Sequence, residues 1–259
     1  CLQALMDKNF RIIPRMDIKG NKLIKTIMLE GVMSVGDPNI YAKKYYDEGA
    51  DEIFLIDAVA SLYDRNSLFD VIKEISKEVF IPITLAGGLR SLDDVEKALN
   101  SGADKVALNT KLHTDPSLIN EIVKNFGSNC MVLQIDAKKI SDNKWEPYSD
   151  GGRERTHKDL IEWIKESIDR GVGEIFLTSI DNEGTKKGFD LDLISQVNNI
   201  SSIPIISSGG AGNLTDIKEL IDNVGTEGAA FSNLLHLEKI KIETIKNFLR
   251  ENQQKVNIR

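Results

Sequence analysis

The chain repeats itself. Pro82, Gly87 and Gly88 in IPITLAGGLRS (81–91) return as Pro204, Gly209 and Gly210 in IPIISSGGAGN (203–213), each 122 residues later. The same offset of 122 carries Glu52-Ile53-Phe54-Leu55 onto an identical Glu174-Ile175-Phe176-Leu177. GADKVALNT (102–110) has a weaker partner in GTEGAAFSN (225–233). Asp17 after IIPRM is echoed by Asp136 after MVLQI, 119 residues on. A unit of about 120 residues is thus present twice in a chain of 259, and such self-similarity restricts the fold more than any local propensity.

Short apolar, β-branched runs predict strands near 11–16, 52–57, 81–86, 105–109, 131–136, 174–179, 203–207 and 228–232. Between them, helical periodicity predicts helices near 38–48, 67–78, 92–101, 116–126, 157–170, 190–199, 214–223 and 240–251. Pro38 starts the first helix, and Gly49, Gly102 and Gly171 stand just past helix ends. Near-continuously apolar strands alternating with helices indicate parallel strands covered on both faces. Eight such units in two similar halves give a (β/α)8 TIM barrel with two-fold half-barrel pseudo-symmetry. It is expected to be one domain over 1–259, with 1–10 as an N-terminal extension. The polar segments 19–35 and 138–152 follow strands 1 and 5 at equivalent places, where barrels build substrate loops. The alternation in LIKTIMLEGV predicts a small hairpin in the first.

With 41% hydrophobic residues the chain can fill a large core, and no apolar run is long enough to cross a membrane. CLQALMDKNF lacks the basic and apolar regions of a secretory leader, and a lipid on Cys1 is the minor alternative. A net charge of −7 opposes general nucleic-acid binding. Cys1 and Cys130 form neither a disulfide framework nor a metal cluster, and Cys130 reads as core, so a cytoplasmic setting without metal or cofactor is expected.

Asp17 and Asp136 end strands 1 and 5 and should face each other across the barrel mouth. That arrangement suits a general acid and a general base on opposite sides of one substrate; strand-end aspartates that merely cap loops are the bland alternative. The duplicated glycine pairs mark two phosphate sites. One comprises Gly87, Gly88, Asn109 and Thr110. The other comprises Glu183, Gly184, Gly209, Gly210, Ala211, Ser232 and Asn233, with a following helix N-terminus offering free N–H groups. Two sites on opposite rims imply a long substrate phosphorylated at both ends. Lys25, in the loop after strand 1, is placed to reach over the mouth. His113, His157 and His236 read as structural or surface residues, Trp145 as loop packing and Trp163 as helix core.

IIPRMDI, LIK, AGGLRS, GADKVALNT, SIDNEGTKKGFD and SGGAGN together resemble, over nearly the whole chain, the cyclase subunit of imidazole glycerol phosphate synthase in histidine biosynthesis. The sister isomerase of that pathway shares the half-barrel design, the two aspartates and both phosphate sites. The resemblance implies that Asp17 and Asp136 are catalytic and that Lys25 helps bind substrate. It also implies that Arg11, Glu52, Lys105 and Glu174 form a charged ring gating ammonia from a glutaminase subunit in a heterodimer. Asp104 would lie near the docking surface. All four ring charges favour the cyclase over the isomerase. The implied substrate is a bis-phosphorylated ribulosyl-formimino aminoimidazole carboxamide nucleotide.

The chain departs from the family pattern at several places. Thr26 stands where Gly is usual, Arg15 where Cys is common, Ala58-Val59 for Ile-Thr, Glu183 for Asp, and Phe231-Ser232-Asn233 for a small Ala-Ala-Ser run. LIKT, VGDP, GEIFL and KKGFD also resemble a divergent branch associated with acetamidino groups on lipopolysaccharide sugars. Three readings therefore stand beside the cyclase: an ammonia-delivering partner of a sugar amidotransferase, a non-catalytic barrel that only docks a glutaminase, and the isomerase.

Overall fold

The computed structural model describes residues 9–60 and 68–257. Cys1 and most of the N-terminal extension, like the first residue of the predicted 67–78 helix, lie outside them.

Eight strands close on themselves in parallel. They are β1 (Arg11–Lys19), β4 (Ile53–Asp57), β5 (Ile83–Ala86), β6 (Lys105–Leu108), β7 (Met131–Ser141), β10 (Glu174–Ser179), β11 (Ile205–Ser208) and β12 (Gly228–Phe231). Each pairs with the next, and β12 returns to β1 with Ile12 opposite Ala229. Around them run α1 (Pro38–Asp47), α2 (Phe69–Ile75), α3 (Leu92–Asn100), α4 (Thr110–Thr114), α5 (Ser117–Phe126), α6 (Leu160–Asp169), α7 (Leu191–Ile200), α8 (Leu214–Asn223), α9 (Asn233–His236) and α10 (Ile242–Glu251). The expected (β/α)8 barrel is what the chain forms. The four-residue α9 and five-residue α4 were not legible as helices, being too short to show a period.

The strands bury both faces, as a parallel barrel requires. Ile12, Met16, Ile53, Leu55, Ile175 and Leu177 turn outward into the large cluster beneath the helices. The alternate positions form a separate inner cluster of Ile13, Phe54, Ile56, Ala86, Ala107, Val132, Phe176, Ile206 and Ala230. Every one of the eight strands contributes to it, so it fills the barrel interior. Phe54 and Phe176 occupy equivalent places in the two halves and stack there.

Helix starts follow local chemistry. Asp37 accepts from the Asn39 N–H ahead of Pro38, and Asp159 accepts from Ile161 and Glu162. Gly49, Gly102 and Gly171 have positive φ where helices were expected to stop.

The two long segments both become antiparallel extensions of barrel strands. β2 (Lys22–Ile27) pairs with β1 and with β3 (Glu30–Gly36), giving the predicted hairpin. Its turn places Met28 and Leu29 at φ 51° and 61°, the sense that a tight two-residue hairpin needs. After strand β7 the chain returns as β8 (Lys144–Ser149) and β9 (Glu154–Arg155). Trp145, Glu146, Pro147 and Tyr148 are buried, so 138–152 is a packed hairpin rather than the polar loop its composition indicated. Trp145 donates from Nε1 to Asp190.

Candidate functional site

Asp17 on β1 and Asp136 on β7 belong to strands four places apart around the barrel, and both are almost wholly buried at its carboxyl end. Asp17 Oδ1 accepts two N–H groups from Arg15, at 3.2 and 3.1 Å, while its Oδ2 has no hydrogen-bond partner. Asp136 Oδ2 accepts from Asn109 Nδ2 at 3.1 Å, and its Oδ1 is likewise unpartnered. Burial pushes the Asp136 carboxyl above the usual range, against the pull of Arg15 and Asn109. Buried polar atoms are rarely left without partners in folded proteins. Two carboxylate oxygens in that state at one mouth mark a place for reacting groups.

Gly87, Gly88, Asn109 and Thr110 line one cavity of about 390 Å³ together with Asp57, Arg90 and Asp136. Gly87 has φ 87°, and a Cβ there would lie 2.5 Å from the Asp57 carbonyl, so only glycine permits this approach of β5 to β4. Asn109 also donates to the Tyr148 carbonyl at 2.9 Å, and Thr110 Oγ1 accepts from the Asp150 N–H at 2.9 Å. The β7–β8 hairpin thus forms one wall.

The second set, Glu183, Gly184, Gly210, Ala211, Ser232 and Asn233, lines a cavity of only about 20 Å³, room for roughly one water. The sites are therefore unequal, against the symmetric expectation. The β2–β3 hairpin causes this: Met28 N–H donates to the Glu183 carbonyl at 2.9 Å. A Cβ on Gly184 would come within 2.9 Å of Ile27 Cα and 3.0 Å of the Thr26 carbonyl. Phe231 and Asn233 add bulk to its wall. Gly209 flanks this floor, 3.3 Å from Glu183 Oε2 to where its Cβ would stand. Two buried polar atoms of its lining residues, Ser232 Oγ and Asn233 Oδ1, have no hydrogen-bond partner, and neither does Thr26 Oγ1 on β2.

A further expectation is corrected at α8. The N–H groups of Thr215 and Asp216 in its first turn are already taken. Asn213 accepts from Thr215 and Asp216, and Asp216 accepts from Gly212 at 2.7 Å and Asn213 at 3.2 Å. This is a capping box, and Asn213 followed by Asp216 three residues later signalled it. Three lysines, Lys25, Lys186 and Lys239, stand close enough to act on one another. A hydrogen bond with Lys239 and repulsion from Lys239 and Lys25 hold the Lys186 ammonium below the usual lysine range. Lys25 is half-buried on β2. Lys186 and Lys239 were not singled out in sequence, because nothing in their spacing unites them.

Arg15, two residues before Asp17 on β1, ties that strand to β10 and β11. It is buried, donates through Nη1 to Thr178 Oγ1 at 3.4 Å and Ser208 Oγ at 3.3 Å, and lies 3.9 Å from Glu183 Oε2. Burial raises the Glu183 carboxyl, with Arg15 opposing. The Arg15 carbonyl accepts from His236 Nε2 at 2.9 Å, and His236 Nδ1 meets the Tyr45 hydroxyl at 2.6 Å. The imidazole is thus a neutral Nε2–H tautomer, and its burial lowers it to about 4.

At the other end of the barrel, Arg11, Glu52, Lys105 and Glu174 close a ring of alternating charge. Lys105 Nζ lies 2.9 Å from Glu52 and 2.9 Å from Glu174, and Arg11 reaches Glu52 at 3.2 Å and also bonds Glu174. Burial works against each charge, but the opposite neighbours outweigh it, raising Arg11 and Lys105 and lowering Glu174. Asp104 accepts from the Ile83 N–H at 2.8 Å on the same side. Among the described residues no helix is long and apolar enough to cross a membrane.

The family model described as "Histidine biosynthesis protein" matches residues 11–241. A Legionella pneumophila protein named imidazole glycerol phosphate synthase subunit HisF is 52% identical over 208 residues, covering 80% of this chain and 98% of its own length. Proteins of the same name from Helicobacter hepaticus and Streptococcus mutans serotype c are 44% and 41% identical, covering 96% and 93% of this chain and 98% and 96% of their own lengths. With that model matched over most of its length and relatives of this name 41–52% identical to it, the chain belongs to the histidine biosynthesis protein family.

Proposed function

We propose that this chain is the ammonia-using cyclase subunit, a lyase, of an imidazole glycerol phosphate synthase. The observation that carries the reading is the pair of buried, unpartnered oxygens, Asp17 Oδ2 and Asp136 Oδ1, at one end of a barrel whose other end holds the charged ring. Ammonia released by a glutaminase subunit docked at the ring end enters through it. At the mouth, ammonia attacks the ribulosyl carbonyl of the bis-phosphorylated nucleotide. Asp17 as base and Asp136 as acid then move the protons of cleavage and ring closure. The products are imidazole glycerol phosphate, the aminoimidazole carboxamide ribonucleotide and the water that carries away the carbonyl oxygen. One phosphate lies in the 390 Å³ cavity. The other takes up the orphaned groups of Thr26, Ser232 and Asn233, once the β2–β3 hairpin lifts, under the charges of Lys25, Lys186 and Lys239.

One observation favours a second reading. Arg15 and Glu183, both departures from the family pattern, meet inside the mouth, which is where a changed substrate would be felt. The role of ammonia-delivering partner in sugar amidination is therefore the alternative. The deciding assay is purified protein with an ammonium salt at alkaline pH and the bis-phosphorylated nucleotide, followed by loss of substrate absorbance. Turnover that disappears in Asp17→Asn supports the cyclase; a folded protein without turnover moves the assignment to the sugar branch.

A further inference from the structure

The proposed proton transfers need two carboxyl groups but give no reason for a guanidinium beneath them. Arg15 is held from several sides: by Asp17 on its own strand, by Thr178 on β10, by Ser208 on β11, and through its carbonyl by His236 of α9. Three carboxyl groups act on it, those of Asp17, Glu183 and Asp136. The neighbouring imidazole of His236 is neutral. The guanidinium does not treat the three alike. Two of its N–H groups go to one oxygen of Asp17, Glu183 is a 3.9 Å ion-pair contact, and Asp136 receives no hydrogen bond from it.

We infer that Arg15 is a positioning residue that divides the work of the two aspartates, holding Asp17 as a carboxylate with Oδ2 turned towards substrate and leaving Asp136 as the proton donor. The inference rests on the reading of these aspartates as base and acid. Charge-assisted hydrogen bonds of this kind favour the ionised acceptor and fix its rotamer. Glu183 meets the same guanidinium as an ion-pair contact rather than a hydrogen bond. A glutamate is one methylene longer than the aspartate usual there, and its Oε2 lies within ion-pair reach of Arg15. Arginine at 15 and glutamate at 183 are thus two parts of one arrangement.

The test compares wild type with Arg15→Cys, Arg15→Gln and Arg15→Lys. Arg15→Gln keeps donors for Thr178 and Ser208 without the charge, and Arg15→Lys keeps the charge. Two readouts are taken: the pH profile of kcat/KM with ammonium and the bis-phosphorylated nucleotide, and the carbon-13 chemical shift of the Asp17 carboxyl carbon across pH. The expected result is that the acid limb moves up by about one pH unit, roughly a tenfold loss at its foot, in Arg15→Cys and Arg15→Gln. Arg15→Lys should stay close to wild type, and the carboxyl signal should move with the acid limb. An acid limb and a carboxyl signal that are unchanged in a folded, charge-less variant would overturn the inference. Should wild type not turn over the nucleotide, the cyclase reading fails by itself, and the carbon-13 comparison still decides whether Arg15 holds Asp17 ionised.

Discussion

Phe54 and Phe176 lie face to face inside the barrel, ring centroids 3.7 Å apart and planes inclined by 20°. They are the same residue of the duplicated EIFL segment, so each ring meets its own counterpart near the pseudo-symmetry axis. The stack belongs to the inner cluster of the barrel, with Arg15 opposite Phe54 in the β1–β4 register. Either Phe→Ala change removes a buried aromatic from a closed interior, which costs about 3–5 kcal/mol. Urea unfolding at neutral pH measures this, with Phe80→Ala, at 73% exposure, as a near-neutral control within about 0.5 kcal/mol.

Asp17→Asn and Asp136→Asn should each lower kcat/KM for the ammonium-driven reaction by about 10²- to 10⁴-fold, the usual weight of a general acid or base. Circular dichroism should be unchanged. Retention of wild-type activity by either variant would assign that aspartate a structural role.

Glu174→Gln separates the two ends of the barrel. Glu174 bonds both Arg11 and Lys105, so its neutralisation opens the ring without touching the mouth. Activity with ammonium salt should stay within about twofold of wild type. Activity driven by glutamine in the presence of a glutaminase subunit should fall about tenfold, a ΔΔG‡ of about 1.4 kcal/mol. Equal losses in both assays would argue against a gating role.

Thr26→Val tests whether the small cavity is a ligand site. Thr26 Oγ1 is buried without a partner, so its removal from the free protein should raise stability by about 1 kcal/mol. If the hydroxyl serves a phosphate, KM for the nucleotide should rise several-fold in the same variant. A gain in stability with KM unaltered would remove Thr26 from the site.

His236 gives a pH signature. Its imidazole titrates near 4 in the fold, against an ordinary value of 6.5. The unfolded chain therefore takes up a proton that the folded chain refuses. The stabilisation is complete above about pH 6.5 and is lost as pH falls towards 4, amounting to about 3 kcal/mol. Proton NMR of the imidazole should give a midpoint near 4, and the pH 7-to-5 drop in urea midpoint should be smaller in His236→Gln.

The repeat made the barrel legible because the physical signal is redundant: eight apolar strands, eight periodic helices and a doubled glycine pair agree. Asp17 and Asp136 were legible for the same reason, each ending a strand in an equivalent half. Arg15 was visible only as an odd residue. Its partners Thr178, Glu183 and Ser208 are 163 to 193 positions away, and no periodicity links them. The closing of the second cavity depends on where a hairpin lands, and the turn at Met28-Leu29 carries none of the Asn or Gly that normally announces one. The capping box at Asn213, by contrast, was written in the sequence and outweighs the anion-binding reading of α8.

The charged ring also fixes how the chain can be divided. The first half brings Arg11, Glu52 and Lys105 to it, and the second brings Glu174 alone. Two copies of the first half would meet with a surplus of cations, and two copies of the second would set carboxylate against carboxylate. Neither half is self-complementary at the axis. Neutrality there exists only in the unlike pair, so the two halves, though alike in fold, are no longer interchangeable.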